Sequence, residues 1–258
     1  VGAGPSGLSI AWQLYLKGHQ PVVFDRGEEL GGKITSSIPS LRIPDEIVRH
    51  EIDRIRGLIP TIHLKKDLSS KAFAKLREEY DYVVIATGLW GPRLAKMAGA
   101  SIPLKPAVHQ MIDVGPVPRF ADAKGDIEHP IVRDMDTNMY ERQHGNGLEI
   151  GSYAHRAILH DPEELPSVEE AQLSPTEFPF TAEDFELQYE QALELMPEIV
   201  GDETVGQKYA INGLLSLTPD GMPLLGETPE VKNLWSVSAV WIKEGPGIGK
   251  AVSEWMVL

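Results

Sequence analysis

Apolar residues follow two different periods along the chain. Leu8, Ala11, Leu14 and Tyr15 recur at helical spacing and stop at Gly18, after which the apolar run PVVF predicts a short strand ending at Asp25. Pro44, Asp45 and Glu46 open a second helix with Ile47, Val48, Ile52 and Ile55 on one side, because Pro suits the first helical position and acids suit the N-terminal dipole. TIHL predicts a strand, Phe73 and Leu76 mark a helix, and YVVIA is a buried strand ended by Thr87 and Gly88. Beyond about residue 90 the period falls to two. AVHQMIDV and LEIGSY alternate, and YERQHGNGLEIGSY predicts a hairpin turning on His144 to Gly147. An acidic, Pro-punctuated loop from His160 to Pro179 leads to a helix capped by Thr181, with Asp184 three positions on. The strand run LWSVSAVWI, a glycine turn GPGIGK and a helix through EWM complete the pattern.

Length and composition narrow the functions this pattern can serve. A chain of 258 residues holds one large domain or two small ones. Its net charge of −14 argues against nucleic acid and anionic membrane surfaces, which recruit excess Lys and Arg, and leaves a small molecule as the expected partner. No apolar run approaches the roughly 18 residues of a membrane span, and no signal peptide precedes the first motif, so a cytoplasmic location is expected. Cysteine is absent, which removes disulfides, Cys-ligated iron–sulfur clusters and redox dithiols. Redox chemistry would then need an organic cofactor and an external electron acceptor or oxygen. The chain opens with only Val1 before its glycines and closes inside a predicted helix, as a piece of a longer protein would.

Gly2, Gly4 and Gly7, with Pro5 and Ser6 between them, form GxGxxG at the start of the first helix. Such glycines allow a tight turn and let a pyrophosphate approach a helix N-terminus. Asp25 follows at about the 20-residue spacing expected of an acid that accepts hydrogen bonds from ribose hydroxyls. A glycine turn that only packs helix on strand would not need Asp25. Helix, strand and acid in this order predict dinucleotide binding.

Up to Gly88 the chain resembles the FAD-binding module of the glutamate synthase small subunit and dihydropyrimidine dehydrogenase, through GAGPSGLS, FDRGEELGGKITSSIPSLRIP and VVIATG. That resemblance implies FAD, with Asp25 at the adenosine ribose, Gly32 and Lys33 beside the pyrophosphate, Arg42 and Leu68 at the adenosine end, Thr87 and Gly88 over the phosphates, and Arg26 also among the cofactor-binding residues. Those enzymes continue into a second GxGxxG domain that receives NADPH, and this chain has no second fingerprint.

From Trp90 onward the chain resembles the D-amino-acid-oxidase-like group, specifically dimethylglycine oxidase, dimethylglycine dehydrogenase and sarcosine dehydrogenase. The matching stretches are GLWGPRLAKMAGASIPLKPAVHQ, PIVRDMDTNMYER, GLEIGSYAHR, SLTPDGMPLLGETPE and GPGIGKAVSEWM. This second resemblance implies His109 and Tyr140 in the substrate pocket, and Gly247, Ile248, Gly249 and Lys250 along the flavin. Asp81 to Leu104 is the seam between the two styles. Relatives carry a long stretch before the turn at Thr87, in some members with a histidine bonded covalently to FAD. Here about fifty residues replace it and no histidine matches, so non-covalent FAD is implied. Relatives often carry a folate-binding domain beyond the final helix.

The resulting fold class is α/β: a Rossmann-like FAD-binding domain, residues 1–91 and 219–258, with a central antiparallel-sheet substrate domain, residues 92–218. The implied chemistry is oxidation of a secondary or tertiary amino acid such as sarcosine or dimethylglycine. An imidazole, ordinarily titrating at about 6.5, would favour the neutral amine at His109, while Tyr140 orients it. Arg142 or Arg156 would hold the substrate carboxylate. Plainer readings stand beside these. His109 can be a structural strand histidine, Tyr140 can pack a hairpin, and Lys250 can be a surface residue. GPGIGK is not a phosphate loop, since Glu244 replaces its first glycine and Ala251 its Ser or Thr. His50, His63, His155 and His160 lack metal-ligand spacing, and no metal is expected. An NAD(P)H-linked electron-transfer flavoprotein of the glutamate synthase kind and a truncated FAD-binding protein without turnover are the alternatives.

Overall fold

The computed structural model describes residues 1–40, 42–153, 156–166, 170–171, 174 and 176–258. Its elements begin with α1 (Pro5–Leu16), β1 (Val22–Phe24), α2 (Lys33–Ser36), α3 (Asp45–Arg56), β2 (Thr61–His63), α4 (Ser70–Glu79), β3 (Val83–Ile85) and α5 (Gly91–Ala98). Next come β4 (Lys105–Gly115), β5 (Val132–Asp134), β6 (Met139–His144), β7 (Gly147–Ser152), β8 (Glu177–Phe178), α6 (Glu186–Leu195), α7 (Pro197–Val200) and β9 (Gly206–Leu217). β10 (Leu224–Glu227), β11 (Leu234–Ser238) and α8 (Gly245–Met256) follow. The chain divides into two units, one made of Val1–Pro106, Asp161–Leu165 and Ser216–Leu258, the other of Ala107–His160 and Pro166–Leu215.

In the first unit β1 pairs β2 in parallel, and β3 pairs β11 in parallel with β10 antiparallel on its far side. Val1 and Gly2 bridge the two ladders: Gly2 N–H donates to Phe24 O and Ala86 N–H donates to Val1 O, each at 2.8 Å. A cavity of about 200 Å³ follows the gap between the ladders, lined by Ile10, Leu14, Val22 and Val84. Ala3, Leu8, Ala11, Val23, Leu30 and Ile59 form one apolar cluster, and Ile10, Ala86, Trp235, Val237 and Val252 another. The helical spacing seen in α1 is the reason: Leu8 and Ala11 face one cluster while Ile10 faces the other. The apolar side of α3 is used only in part, with Ile52 and Ile55 against the first cluster and Ile47 53% exposed.

The second unit is built on a six-stranded sheet in the order β5-β6-β7-β4-β9-β8. Its period-two alternation sends Ile112, Val114, Met139, Leu148 and Ile150 to one face, covered by Phe185, Ala192 and Val200 from the α6–α7 segment. Tyr140, Arg142 and His144 leave the opposite face of β6, which carries the candidate chemistry. The predicted hairpin forms with Gly145 and Asn146 as its two-residue turn, and Gly145 takes φ +57° as such turns require.

Three local expectations change. Thr181 caps a 3-10 turn, Ala182–Asp184, and α6 begins only at Glu186; the Thr181 hydroxyl bonds Asp184 and Gln110 and caps no backbone N–H. GPGIGK is not a turn before a helix but the first turns of α8, because its glycines let that helix close on α1. A Cβ on Gly249 would lie 2.3 Å from Ser9 Oγ, and one on Gly245 would lie 2.8 Å from Pro5 Cβ. The final strand ends at Ser238, since Ala239 takes φ +56° and breaks the extended run.

Candidate functional site

The first unit gathers most of its candidate residues around the glycine loop. Gly2 takes φ +103°, and a Cβ there would lie 2.3 Å from Ala86 O and 3.2 Å from Thr87 Cγ2. A Cβ on Gly7 would meet Gly2 O at 1.9 Å, so both glycines are demanded by backbone approach. Gly4, the N-cap of α1, has open space on its Cβ side. Pro5 and Ser6 form the first turn of α1, where unbonded N–H groups give anions a place to bind. Asp25 pins the loop: its Oδ2 accepts from Ala3 N–H at 2.6 Å and its Oδ1 from Gly27 N–H at 2.7 Å, leaving lone pairs for a further donor. The following residues fold over the same loop, with Gly31 N–H donating to Ala3 O and a Gly32 Cβ position 3.0 Å from Gly4 Cα. Lys33 starts α2, and burial holds its ammonium down to about 8. The buried Thr87 Oγ1 has no hydrogen-bond partner among the described residues, and Gly88 beside it takes φ +58°.

Other candidates lie farther along this unit. Arg26 is exposed after β1, Arg42 is exposed in a turn closed by its N–H to Pro39 O, and Leu68 is half-buried before α4. In α8, Gly247 has open space beside it, Ile248 packs on the second apolar cluster, Gly249 faces Ser9, and the exposed Lys250 lies 3.9 Å from Glu254.

On the sheet face of the second unit opposite its apolar cluster, the half-buried His109 of β4 and Tyr140 of β6 meet across β7, with Nε2 and Oη 2.8 Å apart. Gly151 makes the meeting possible. It lies opposite Tyr140 in one ladder and opposite Met111 in the other, and a Cβ there would lie 2.2 Å from the phenol ring. Tyr153 stacks on His109 at 4.4 Å and 12°, and lies 5.7 Å from Tyr140. Burial above all, then Tyr153 and Glu149, pushes the Tyr140 phenol well above its ordinary range, so it keeps its proton. Next to a neutral imidazole that phenol donates to the unprotonated nitrogen, and its oxygen lone pairs remain for an incoming N–H.

The sequence places His109 and Tyr140 among the candidates, but not Tyr153, Gly151 or Arg133. The signal for Arg133 lies in the DMDTN turn, which pairs β5 with β6 and sets Arg133 opposite Tyr140. The two arginines expected to await a carboxylate are engaged within the protein. Arg142 Nε donates to Glu149 Oε2 at 2.6 Å, and Arg156 Nε to Asp184 Oδ1 at 2.9 Å. Among the described residues Asp113, His144 and Glu149 bring one metal-type ligand atom each within 4.8 Å of the others. They are hydrogen-bonded within the protein, with His144 Nδ1 2.5 Å from Asp113 Oδ2 and Arg142 paired with Glu149. Of the four histidines weighed for metal spacing, His155 lies outside the described residues.

Comparison with known proteins adds a family profile described as FAD dependent oxidoreductase, which matches residues 46–255, and one described as NAD(P)-binding Rossmann-like domain, which matches residues 1–58. The 4-methylaminobutanoate oxidase (formaldehyde-forming) of Paenarthrobacter nicotinovorans is 32% identical over 182 residues, 69% of this chain and 20% of that protein. The NADP(+)-dependent formate dehydrogenase subunit beta of Moorella thermoacetica is 38% identical over 100 residues, 38% of this chain and 14% of that protein. These matches span only 20% and 14% of the relatives' own lengths. Among solved structures, L-proline dehydrogenase from P. horikoshii aligns over 99% of this chain and 91% of its own, with TM-score 0.56 and 16% identity, a likeness of fold.

Proposed function

Since the chain belongs to the FAD dependent oxidoreductase family, we propose that it oxidises a secondary or tertiary N-methylated amino acid of the sarcosine, dimethylglycine or 4-methylaminobutanoate kind. The first unit serves as the FAD-binding domain and the second as the substrate domain. FAD fits the residues present. The open side of Gly4, the orphaned Thr87 hydroxyl and the partly buried Lys33 ammonium offer space, a donor and a charge where a pyrophosphate would lie, and Asp25 retains acceptor capacity for a ribose. The cofactor is held non-covalently, and Gly247, in the first turn of α8 with open space beside it, adds that helix's N-terminus as a further set of backbone donors, with Ile248, Gly249 and Lys250 following along the helix.

One observation supports the substrate reading above the others: the 2.8 Å contact between His109 and Tyr140 on the sheet face opposite the apolar cluster. Bound FAD supplies the two-electron acceptor for a C–H bond next to nitrogen. The residues then have to present a neutral amine. An ammonium N–H of the substrate donates to the Tyr140 oxygen, and as its proton passes to that oxygen the phenol proton passes to His109 Nε2, which leaves the amine neutral and Tyr140 protonated.

A second reading draws on the formate dehydrogenase subunit match: a flavoprotein that takes electrons from NAD(P)H. Anaerobic addition of sarcosine, dimethylglycine, 4-methylaminobutanoate and NADPH to the flavin-loaded protein separates the two. Bleaching of the flavin absorbance by one of the amines is expected. Bleaching by NADPH alone would replace this reading with the electron-transfer one, and bleaching by neither would leave a flavin-binding protein without turnover.

A further inference from the structure

Asp113, His144 and Glu149 stand on three neighbouring strands and leave the same face of the sheet. Glu149 of β7 pairs Asp113 of β4 on one side and Arg142 of β6 on the other, and His144 pairs Gly147 at the end of the hairpin. Gly147 makes room for the meeting, because a Cβ there would lie 2.6 Å from Asp113 Oδ1. The Asp113 carboxylate thus lies over the strand beside His144, with Oδ2 2.5 Å from His144 Nδ1. Glu149 Oε1 stands 3.7 Å from the same nitrogen, while Oε2 accepts from Arg142 Nε at 2.6 Å. Asp113 is only 6% exposed, yet its buried Oδ1 has no hydrogen-bond partner among the described residues. A carboxylate oxygen in that state is costly and calls for a donor or a cation. The surroundings are negative on balance: Asp113, Glu149 and Asp126, the last 3.6 Å from His144 Nε2, face two cations, Arg142 and Lys208. Lys208 is itself occupied, donating to Asn146 Oδ1 at 2.8 Å.

We propose that Asp113, His144 and Glu149 bind one zinc ion, through a carboxylate oxygen of each acid and Nδ1 of the imidazole, with a fourth position open to solvent. Zinc takes such ligands at about 2.0–2.2 Å in a tetrahedron, so ligand atoms of one ion stand about 3.4 Å apart. The three here already lie within 4.8 Å of one another. Binding replaces the hydrogen bond between Asp113 and His144 and needs shifts of about 1 Å. His144 has room for them, its side chain being 41% exposed against 8% for Asp113 and 7% for Glu149. That exposure also gives the fourth position its access to water. The imidazole selects against magnesium and calcium, which take oxygen ligands. Neighbouring groups orient the ligands: Arg142 fixes Glu149 with Oε1 turned toward His144, and Asp126 faces the far ring nitrogen of that histidine. The ion ties β4, β6 and β7 together at one end, and the same strands carry His109, Tyr140 and Gly151 farther along. The site stands whether or not the protein oxidises an amine.

Untagged, chelator-treated protein is titrated calorimetrically with zinc chloride, and its melting temperature is measured with and without the ion. The parent is expected to bind one equivalent and to melt several degrees higher with zinc in excess, since an ion bound only by the folded state stabilises it. His144→Gln and Asp113→Asn are expected to weaken that binding more than about 100-fold, beyond what loss of an outer partner of a ligand causes. Magnesium chloride is expected to give no saturable heat. No zinc equivalent in the parent, an equivalent that persists in both variants, or magnesium bound as tightly as zinc would overturn the proposal. Equal melting temperatures of the metal-free parent and variants show that a lost equivalent is a lost ligand and not a lost fold. Should both variants melt lower, cobalt chloride added to the parent decides. The intense visible absorption of a four-coordinate ion at one equivalent, abolished by zinc, supports the site, and the pale spectrum of the hydrated ion overturns it.

Discussion

Glu141 shows how a single side chain can set the pH response of the second unit. Alternation along β6 puts it on the buried face between Met139 and Gln143, where it is 1% exposed. Neither carboxylate oxygen has a hydrogen-bond partner among the described residues. Burial first, and the charge of Asp134 second, push its carboxyl up to about 7 from an ordinary value of 4.5. The folded protein therefore binds this proton more tightly than the unfolded chain, so stability is complete below the unfolded value and declines as the pH rises through the folded one. Glu141→Gln is expected to flatten the decline between about pH 5 and 8 and to stabilise the protein at pH 8 by up to ~3 kcal/mol. Thermal melts of both proteins at the two pH values measure it, and parallel pH dependence in the pair would assign the titration to another group. That residue 141 faces inward was readable from the period of two. That nothing meets its charge was not, because the neighbours above it come from helices far away in sequence.

Within the β6–β7–β4 ladders, Gly151 carries a constraint that its own sequence context hides. Tyr140 reaches His109 only by lying over the backbone of β7, and the hydrogen atom of Gly151 is what leaves the room. Gly151→Ala places a methyl group 2.2 Å from the phenol ring, so the ring has to turn aside and its bond to His109 is lost. The expected cost is about 1–3 kcal/mol of overpacking, with flavin reduction slowed to the level of Tyr140→Phe. Combining Gly151→Ala with Tyr140→Ala should restore the melting temperature toward that of Tyr140→Ala alone, since the clash has been removed. Additive losses in the double variant would show that Gly151 matters for the strand and not for the tyrosine. Elements of this kind were legible where the cause is local: the two-residue turn at Gly145 and Asn146, the glycine loop before α1, and the strand alternation of β4 and β7. Where packing decides, the sequence reading went astray. α8 begins at Gly245 because Gly245 and Gly249 press against Pro5 and Ser9, more than two hundred residues away, and no local rule marks those glycines as helical.

At the scale of the whole molecule, the candidate cofactor residues and the candidate substrate residues fall in different units. Gly2 to Gly7, Asp25, Gly32, Lys33, Thr87 and the α8 glycines belong to the first, whereas His109, Tyr140 and Tyr153 belong to the second. Each unit has its own apolar cluster, so a change on one sheet face need not disturb the other's core. Cofactor retention and substrate chemistry should therefore separate genetically. Asp25→Ala removes the carboxylate that ties Ala3 and Gly27 together and that would meet the ribose, and is expected to weaken FAD binding by roughly 1.5–3 kcal/mol. Once that variant is saturated with FAD, its flavin should be reduced by the amine at the parent's rate. His109→Ala and Tyr140→Phe should behave in the opposite way, keeping a full complement of flavin while reduction slows by about 10²–10⁴ for His109→Ala as an acid–base group is lost. Apoprotein titration gives the affinity, the ratio of protein to flavin absorbance gives the occupancy, and stopped-flow reduction of the same samples gives the rate. Reduction at parental speed in both His109→Ala and Tyr140→Phe would detach the aromatic cluster from catalysis and return these residues to a purely structural role in the sheet.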